Sequence, residues 1–305
     1  MKRFVMVSSE SVKKLREMTG AGMMACKQAL ESSGGRMEDA VQWLRKKGLA
    51  SAGKKADRAA NEGLIGVAVD GEYGVAVEIN SETDFVARNE EFKKFASSVV
   101  GVALKNRVKS VAELMECPIS GSTKVNDALL ELISKVGENI VIKRVKTACA
   151  QGGVVASYVH GTVGESLGRM VALVALKSSA GSDSLMEIGR DVAMHVVAAR
   201  PRFLNISSVP SDIVEKETAM LREQASGSNK PEAIVDKMIQ GRISKFFNEI
   251  VLEEQSFVKD PEISVRGFVD ERGKKLGHKI VLVDFFGMSV GETAGESGTS
   301  CCGKC

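Results

Sequence analysis

Gly63-Leu64-Ile65-Gly66-Val67-Ala68-Val69 and Val75-Ala76-Val77-Glu78-Ile79, separated by Asp70-Gly71-Glu72-Tyr73-Gly74, decide the fold. Two apolar runs of strand length around an Asp-Gly turn predict a β-hairpin. The next stretch, Ser81-Glu82-Thr83-Asp84-Phe85-Val86-Ala87-Arg88-Asn89, marks the change from a strand pattern to a helix pattern. Phe85, Phe92, Phe95 and Val99 fall roughly in helical register, so a helix is expected to follow. A second helix is predicted over about 124–136, and Asn139-Ile140-Val141-Ile142-Lys143-Arg144-Val145 reads as a strand.

The same order returns downstream. Residues 154–160 and 170–176 read as a second strand pair, a helix follows over about 183–200 and stops before Pro201, and 279–285 closes as a strand. The fold class is therefore α+β, with a duplicated ββ-helix-β core of antiparallel sheets over residues 62–148 and 149–288. Chance likeness between two α+β segments is the competing reading. Residues 210–250 read as a helical hairpin, with a Gly/Ser/Asn/Pro tip at 224–231, inserted in the second unit.

Before the hairpin, residues 9–48 predict three short helices. Ser9 is the expected cap of the first, with Val12, Leu15 and Met18 as its apolar face; Gly20-Ala21-Gly22 breaks it. The second runs from Met23 to Ser32 before Gly34-Gly35, and the third from Met37 to Lys47, closed by Gly48. A bundle this small has little core, so residues 1–48 suit a tethered binding module better than an enzyme domain. Residues 49–61 are small and basic and read as a linker; 289–305 are rich in Gly, Ser and Thr and read as a disordered tail with Cys301, Cys302 and Cys305.

The 305 residues are 44% hydrophobic and 27% charged, which is ordinary globular composition. Charge is uneven. Residues 1–60 hold thirteen Lys or Arg against six Asp or Glu, a net +7, which leaves −4 for the rest. A basic front end suits an acidic partner surface or RNA. No apolar run has the length of a membrane span, and the apolar run at Phe4-Val5-Met6-Val7 is too short for a signal peptide, so a cytoplasmic protein without a membrane role is expected. Cys26, Cys117 and Cys149 stand singly, which suits a reducing compartment.

The sequence assembles no acid/base pair or nucleophile constellation. The sequence has neither a phosphate-binding Gly-x-x-x-x-Gly-Lys-Ser/Thr loop nor a Gly-x-Gly-x-x-Gly run after a strand. His160, His195 and His278 have no His or Cys at ligand spacing. His195, in Val192-Ala193-Met194-His195-Val196-Val197, reads as a core histidine, whereas His160 before Gly161 is open to either a structural or a contact role. The tail cysteines lack a fourth metal ligand. The basic run from Arg45 to Arg58 lacks interleaved aromatics for base stacking. Asp84-Phe85 stands out, because an acid beside a large ring equips a loop to push into another protein. Ser81-x-x-Asp84 also fits a capping box, so a mere helix start is the other reading.

Five motifs resemble the elongation factor Ts family. They are Met18-Thr19-Gly20-Ala21-Gly22-Met23-Met24-Ala25-Cys26-Lys27-Gln28-Ala29-Leu30, Glu82 to Asn89, Lys135 to Ile140, Ser157-Tyr158-Val159-His160-Gly161, and Ala193 to Ala198, in order from about residue 8 to 288. The resemblance implies a ubiquitin-associated-like N-terminal bundle, a duplicated core and a protruding coiled-coil hairpin. It implies a guanine-nucleotide exchange factor for elongation factor Tu, bound in its GDP-bound and nucleotide-free states, which is not an enzyme and needs no cofactor, metal or direct nucleic-acid contact of its own. By similarity, Thr83, Asp84, Phe85 and Val86 would dislocate the partner's Mg2+, while Arg16, Met23, Met24, Lys55, Val136 and His160 would bind the partner. The segment 162–168 after His160 is longer than the family's usual turn.

Overall fold

A computed structural model describes residues 7–53, 55–225 and 231–292. The chain forms two compact units, one of residues up to 66 with 77–145, the other of 67–76 with 146 onward.

The first unit opens with α1 (Ser9–Thr19), α2 (Met23–Ser32) and α3 (Met37–Gly53). Val12, Leu15, Cys26, Ala29, Leu30, Ala40 and Leu44 form the bundle's core. The cap of α1 is Ser8, whose hydroxyl accepts from the Ser11 N–H, and not Ser9, which is already helical. Met18 is 61% exposed and outside that core. Gly48 does not close α3. The helix runs through it to Gly53, and so takes up part of the predicted linker. The glycine serves packing instead, since a Cβ there would lie 2.6 Å from the Ser134 hydroxyl and 2.9 Å from its Cβ.

The predicted hairpin is β1 (Glu62–Asp70) and β2 (Tyr73–Ser81), with Gly71 of the two-residue turn at φ 55. Next come α4 (Asp84–Ala87), α5 (Glu90–Lys105), α6 (Val111–Glu116), a small pair β3 (Pro118–Ser120) and β4 (Thr123–Lys124), then α7 (Val125–Val136) and β5 (Ile140–Cys149). Short elements such as α6, β3 and β4 carry too few residues for a periodic signal. Glu78 of β2 is fully buried and held by Arg144 at 2.5 Å and Lys143 at 3.8 Å.

The second unit contributes β6 (Gly153–His160), the two-residue β7 (Leu167–Gly168), β8 (Met170–Lys177) and α8 (Ser182–Ala199). Then follow α9 (Ser211–Ala225), α10 (Glu232–Ile250), β9 (Ser256–Phe257), β10 (Asp260–Ser264), α11 (Val265–Leu276) and β11 (Val281–Ser289). β6 and β11 pair antiparallel to β8, with Gly153 opposite Lys177 and His160 opposite Met170. The two larger sheets run β5-β2-β1-β7 and β11-β8-β6, so each strand triplet is ordered third, second, first. α8 packs on the second sheet, and its Leu185, Ile188 and Val192 share a buried core with Val265 and Phe268 of α11. α9 and α10 pack together over Leu221 and Ile239, above a base of Phe203, Val209, Ile250 and Val251. The tip residues 226–230 and the tail from 293 lie outside the described residues. Among the described residues, Cys26 and Cys117 are free. Among the described residues no helix is long and apolar enough to cross a membrane, and no cluster of His, Cys, Asp or Glu could hold a metal.

His195 is a core histidine with both ring nitrogens engaged. Its Nε2–H donates to Gln255 Oε1 at 3.0 Å, and Nδ1 accepts from the Val258 N–H at 3.1 Å. Burial holds its pKa below the ordinary 6.5, against the smaller lift from Gln255. The folded state thus disfavours the imidazolium, and stability present above pH 6.5 is lost as pH falls below it. Urea titrations from pH 7.5 to 5 should show this loss, and His195→Gln should remove the His195 part of it. A second variant tests packing. Gly189 lies inside α8, where an added Cβ would overlap Leu176 Cδ1 and Ala156 Cβ. Gly189→Ala should therefore destabilise by about 1–3 kcal/mol in urea unfolding, although Gly→Ala inside an open helix gains about 1 kcal/mol.

Candidate functional site

β2 ends at the buried Ser81, whose hydroxyl donates to the Thr83 carbonyl at 2.9 Å. This replaces the expected capping box: Thr83 is the residue before α4, and no side chain caps that helix. Both Thr83 donors turn elsewhere. Its N–H reaches Glu138 Oε2 at 3.0 Å and its hydroxyl reaches Glu138 Oε1 at 2.7 Å. One residue to either side, the Asn139 N–H donates to Glu82 Oε1 at 2.6 Å. Arg58 pairs with the same carboxylate at 3.4 Å, and the Asn139 amide donates to the Arg58 carbonyl at 2.8 Å.

The expected single helix from Phe85 to Val99 is in fact two. Arg88 and Asn89 interrupt it, and the Asn89 side chain accepts from the Glu91 N–H to start α5 afresh. Phe92, Phe95 and Val99 are buried as the register demands, but Phe85 is 79% exposed on the preceding turn. Val86 and Ala87 point into the core and anchor that turn. Asp84 is partly exposed and pairs with Arg88 at 3.0 Å. The result is a one-turn helix, pinned by Val86 and Ala87, that presents a bare phenyl ring and a carboxylate. A ring of this size gains about 1.5–3 kcal/mol on full burial, which it forgoes in this position.

The other expected residues divide between the two units. Arg16 is exposed near the end of α1, and Met23 and Met24, 40% and 68% exposed, begin α2. With Met18 they make the α1–α2 turn unusually apolar for a solvated surface. Lys55 is half-buried in a turn closed by the Arg58 N–H on its carbonyl. Val136 ends α7, and Gly137 at φ 84 follows before Glu138. In the second unit, His160 is exposed at the end of β6, with the Tyr158 hydroxyl 3.4 Å from Nδ1. The longer segment after it folds back on itself, with the Val163 N–H on the Leu167 carbonyl and Leu167 buried.

The sequence model of a family described as Elongation factor TS matches residues 82–292. The elongation factor Ts of Paramagnetospirillum magneticum is 46% identical over 288 residues, covering 94% of this chain and 92% of its own. That of Rhodospirillum rubrum is 45% identical, covering 94% and 93%, and that of Gluconobacter oxydans 46%, covering 88% and 89%. The chain belongs to the elongation factor Ts family. It is a translation elongation factor of protein biosynthesis, in a family of guanine-nucleotide exchange.

Glu82, Glu138 and Asn139 lie within motifs that carry the elongation factor Ts resemblance, yet sequence reasoning gave them no role. An acid-amide pair just after a helix-ending glycine is the only local signal, and nothing local pairs it with residues 82–83. The break at Asn89 is testable: Asn89→Ala should cost about 1 kcal/mol in chemical unfolding, through loss of the α5 cap.

Proposed function

We propose that this chain is the guanine-nucleotide exchange factor of elongation factor Tu, which it binds in the GDP-bound and nucleotide-free states. The observation that carries the reading is the 79% exposed Phe85 ring, held beside Asp84 on an anchored turn. In this reading Thr83, Asp84, Phe85 and Val86 form the segment that displaces the partner's Mg2+. Asp84 and Phe85 do the intruding, and Val86 roots the turn. Arg16, Met23 and Met24 hold the partner from a ubiquitin-associated-like bundle, and Lys55, Val136 and His160 make further contacts. Residues 1–48, 62–148 and 149–288 act as module and core halves, and α9 with α10 as a coiled-coil hairpin. The protein works in the cytoplasm, performs no catalysis and needs no cofactor of its own.

The physics supports such a role without covalent chemistry. Magnesium bridges phosphate oxygens and protein ligands in nucleotide-binding GTPases, so its loss weakens nucleotide binding. A factor that prefers the nucleotide-free state must weaken GDP by the same ratio. A thousandfold effect needs only about 4 kcal/mol of differential binding. One aromatic anchor and its surrounding contacts are of that order. The basic front end favours RNA less, because several of its cations are engaged within the unit: Arg45 with Asp127 and Glu131, Lys27 with Glu31, Arg36 with Asp39, and Lys47 with Gln28.

Stopped-flow release of a fluorescent GDP analogue from elongation factor Tu, at varied Mg2+, tests the proposal. Acceleration should be strong and should shrink at high Mg2+. Phe85→Ala should cut it on the order of 100-fold while unfolding stability changes by under about 0.5 kcal/mol, since the ring is 79% exposed in the free protein. A variant as fast as the parent would remove the wedge role from Phe85.

A further inference from the structure

We infer that Glu138 is a positioning residue for exchange, fixing the turn that presents Phe85; the inference rests on the wedge role proposed above. Four observations meet here. A four-residue helix with no side-chain cap has no stability of its own, because helix nucleation is unfavourable. Its entry residue, Thr83, is extended at φ −125 and ψ 157. Both donors of that residue end on the two separate oxygens of one carboxylate, at 3.0 and 2.7 Å. Its carbonyl is engaged in turn by the Ser81 hydroxyl at 2.9 Å and the Ala87 N–H at 3.4 Å. Every polar group of Thr83 is thus directed.

The far end of the clamp is equally firm. Glu138 follows Gly137, whose left-handed backbone terminates α7 with its N–H on the Ile133 carbonyl. Its neighbour Asn139 returns a bond to Glu82, the neighbour of Thr83. Two dipeptides, Glu82-Thr83 and Glu138-Asn139, therefore brace one another reciprocally. Hydrogen bonds to a carboxylate are the stronger kind, and two of them fix a plane as well as a distance. The consequence for function is preorganisation. A phenyl ring on a loose turn would lose conformational freedom on docking and would sample poses that miss the metal site. Glu138 removes that loss through Thr83, before any partner arrives.

Glu138→Gln is the sharpest probe. It keeps the side chain's length and removes the charge. It also sets an amide NH2 against one of the Thr83 donors. The full chain should lose about tenfold in maximal acceleration of GDP-analogue release from elongation factor Tu, with its thermal midpoint tracked alongside. In a Phe85→Ala background the same change should add less than about twofold, because the clamp has no ring left to aim. Hydrogen exchange of the Thr83–Ala87 amides in the free protein should quicken in Glu138→Gln. Unchanged amide exchange overturns the positioning role whatever the nucleotide assay shows. So does a full tenfold loss in the Phe85→Ala background, which would mark Glu138 as general scaffold. If Phe85→Ala itself is as fast as the parent while the amides do quicken, the clamp stands as a structural feature. In that case it is the wedge reading that fails, and the functional inference built on it fails too.

Discussion

One cross-brace ties together three segments of the first unit. Glu138 accepts two bonds from Thr83, and Glu82 accepts one from Asn139, across more than fifty residues of chain. The Asn139 amide extends the brace to the Ala56 and Arg58 carbonyls, and so holds the turn that carries Lys55. Polar groups at this depth cost free energy unless paired, so each bond depends on the others being made. The brace gathers three separate segments: the turn after α3, the end of β2 and the end of α7. Phe85, Lys55 and Val136 each sit within three residues of it.

Around that brace, the unit treats its large apolar side chains in two ways. Phe92, Phe95 and Val99 are buried along α5, as are Val86 and Ala87 on α4. Phe85, Met18 and Met24 are left mostly in water, and Met23 is 40% exposed. A solvated Met or Phe forgoes burial energy that the core residues obtain, which is why such side chains stand out on a surface. Methionine suits such a surface because its flexible thioether adapts to an irregular counterpart.

Glycine placement shows how closely the elements approach. Gly48 allows α3 to pass Ser134 of α7, and Gly189 allows α8 to lie on Ala156 and Leu176. Gly74 does the same for the hairpin turn against Val155 and Leu173. In a sequence each of these reads as a helix stop or a weak strand position. Only the facing element explains them.

What the sequence determined by itself was periodic and local. The hairpin at Asp70-Gly71, the three N-terminal helices, the strand pair of β6 and β8 and the core character of His195 were all legible, because alternation, 3.6-residue spacing and turn chemistry act within a few residues. The family motifs carried the identity for the same reason, since they are contiguous. Tertiary structure alone decided the rest. It moved the cap from Ser9 to Ser8, carried α3 past Gly48, and split the helix after Phe85 at Asn89. It also left the Ser81-x-x-Asp84 capping box unmade, with the Ser81 hydroxyl donating to the Thr83 carbonyl and both Thr83 donors on Glu138. A capping box is read from residues three apart, whereas the Thr83–Glu138 bonds span fifty-five residues and form only once the chain has folded. Phe85 is exposed because the break at Arg88-Asn89 takes its turn out of the α5 register, and that turn buries Val86 and Ala87 instead.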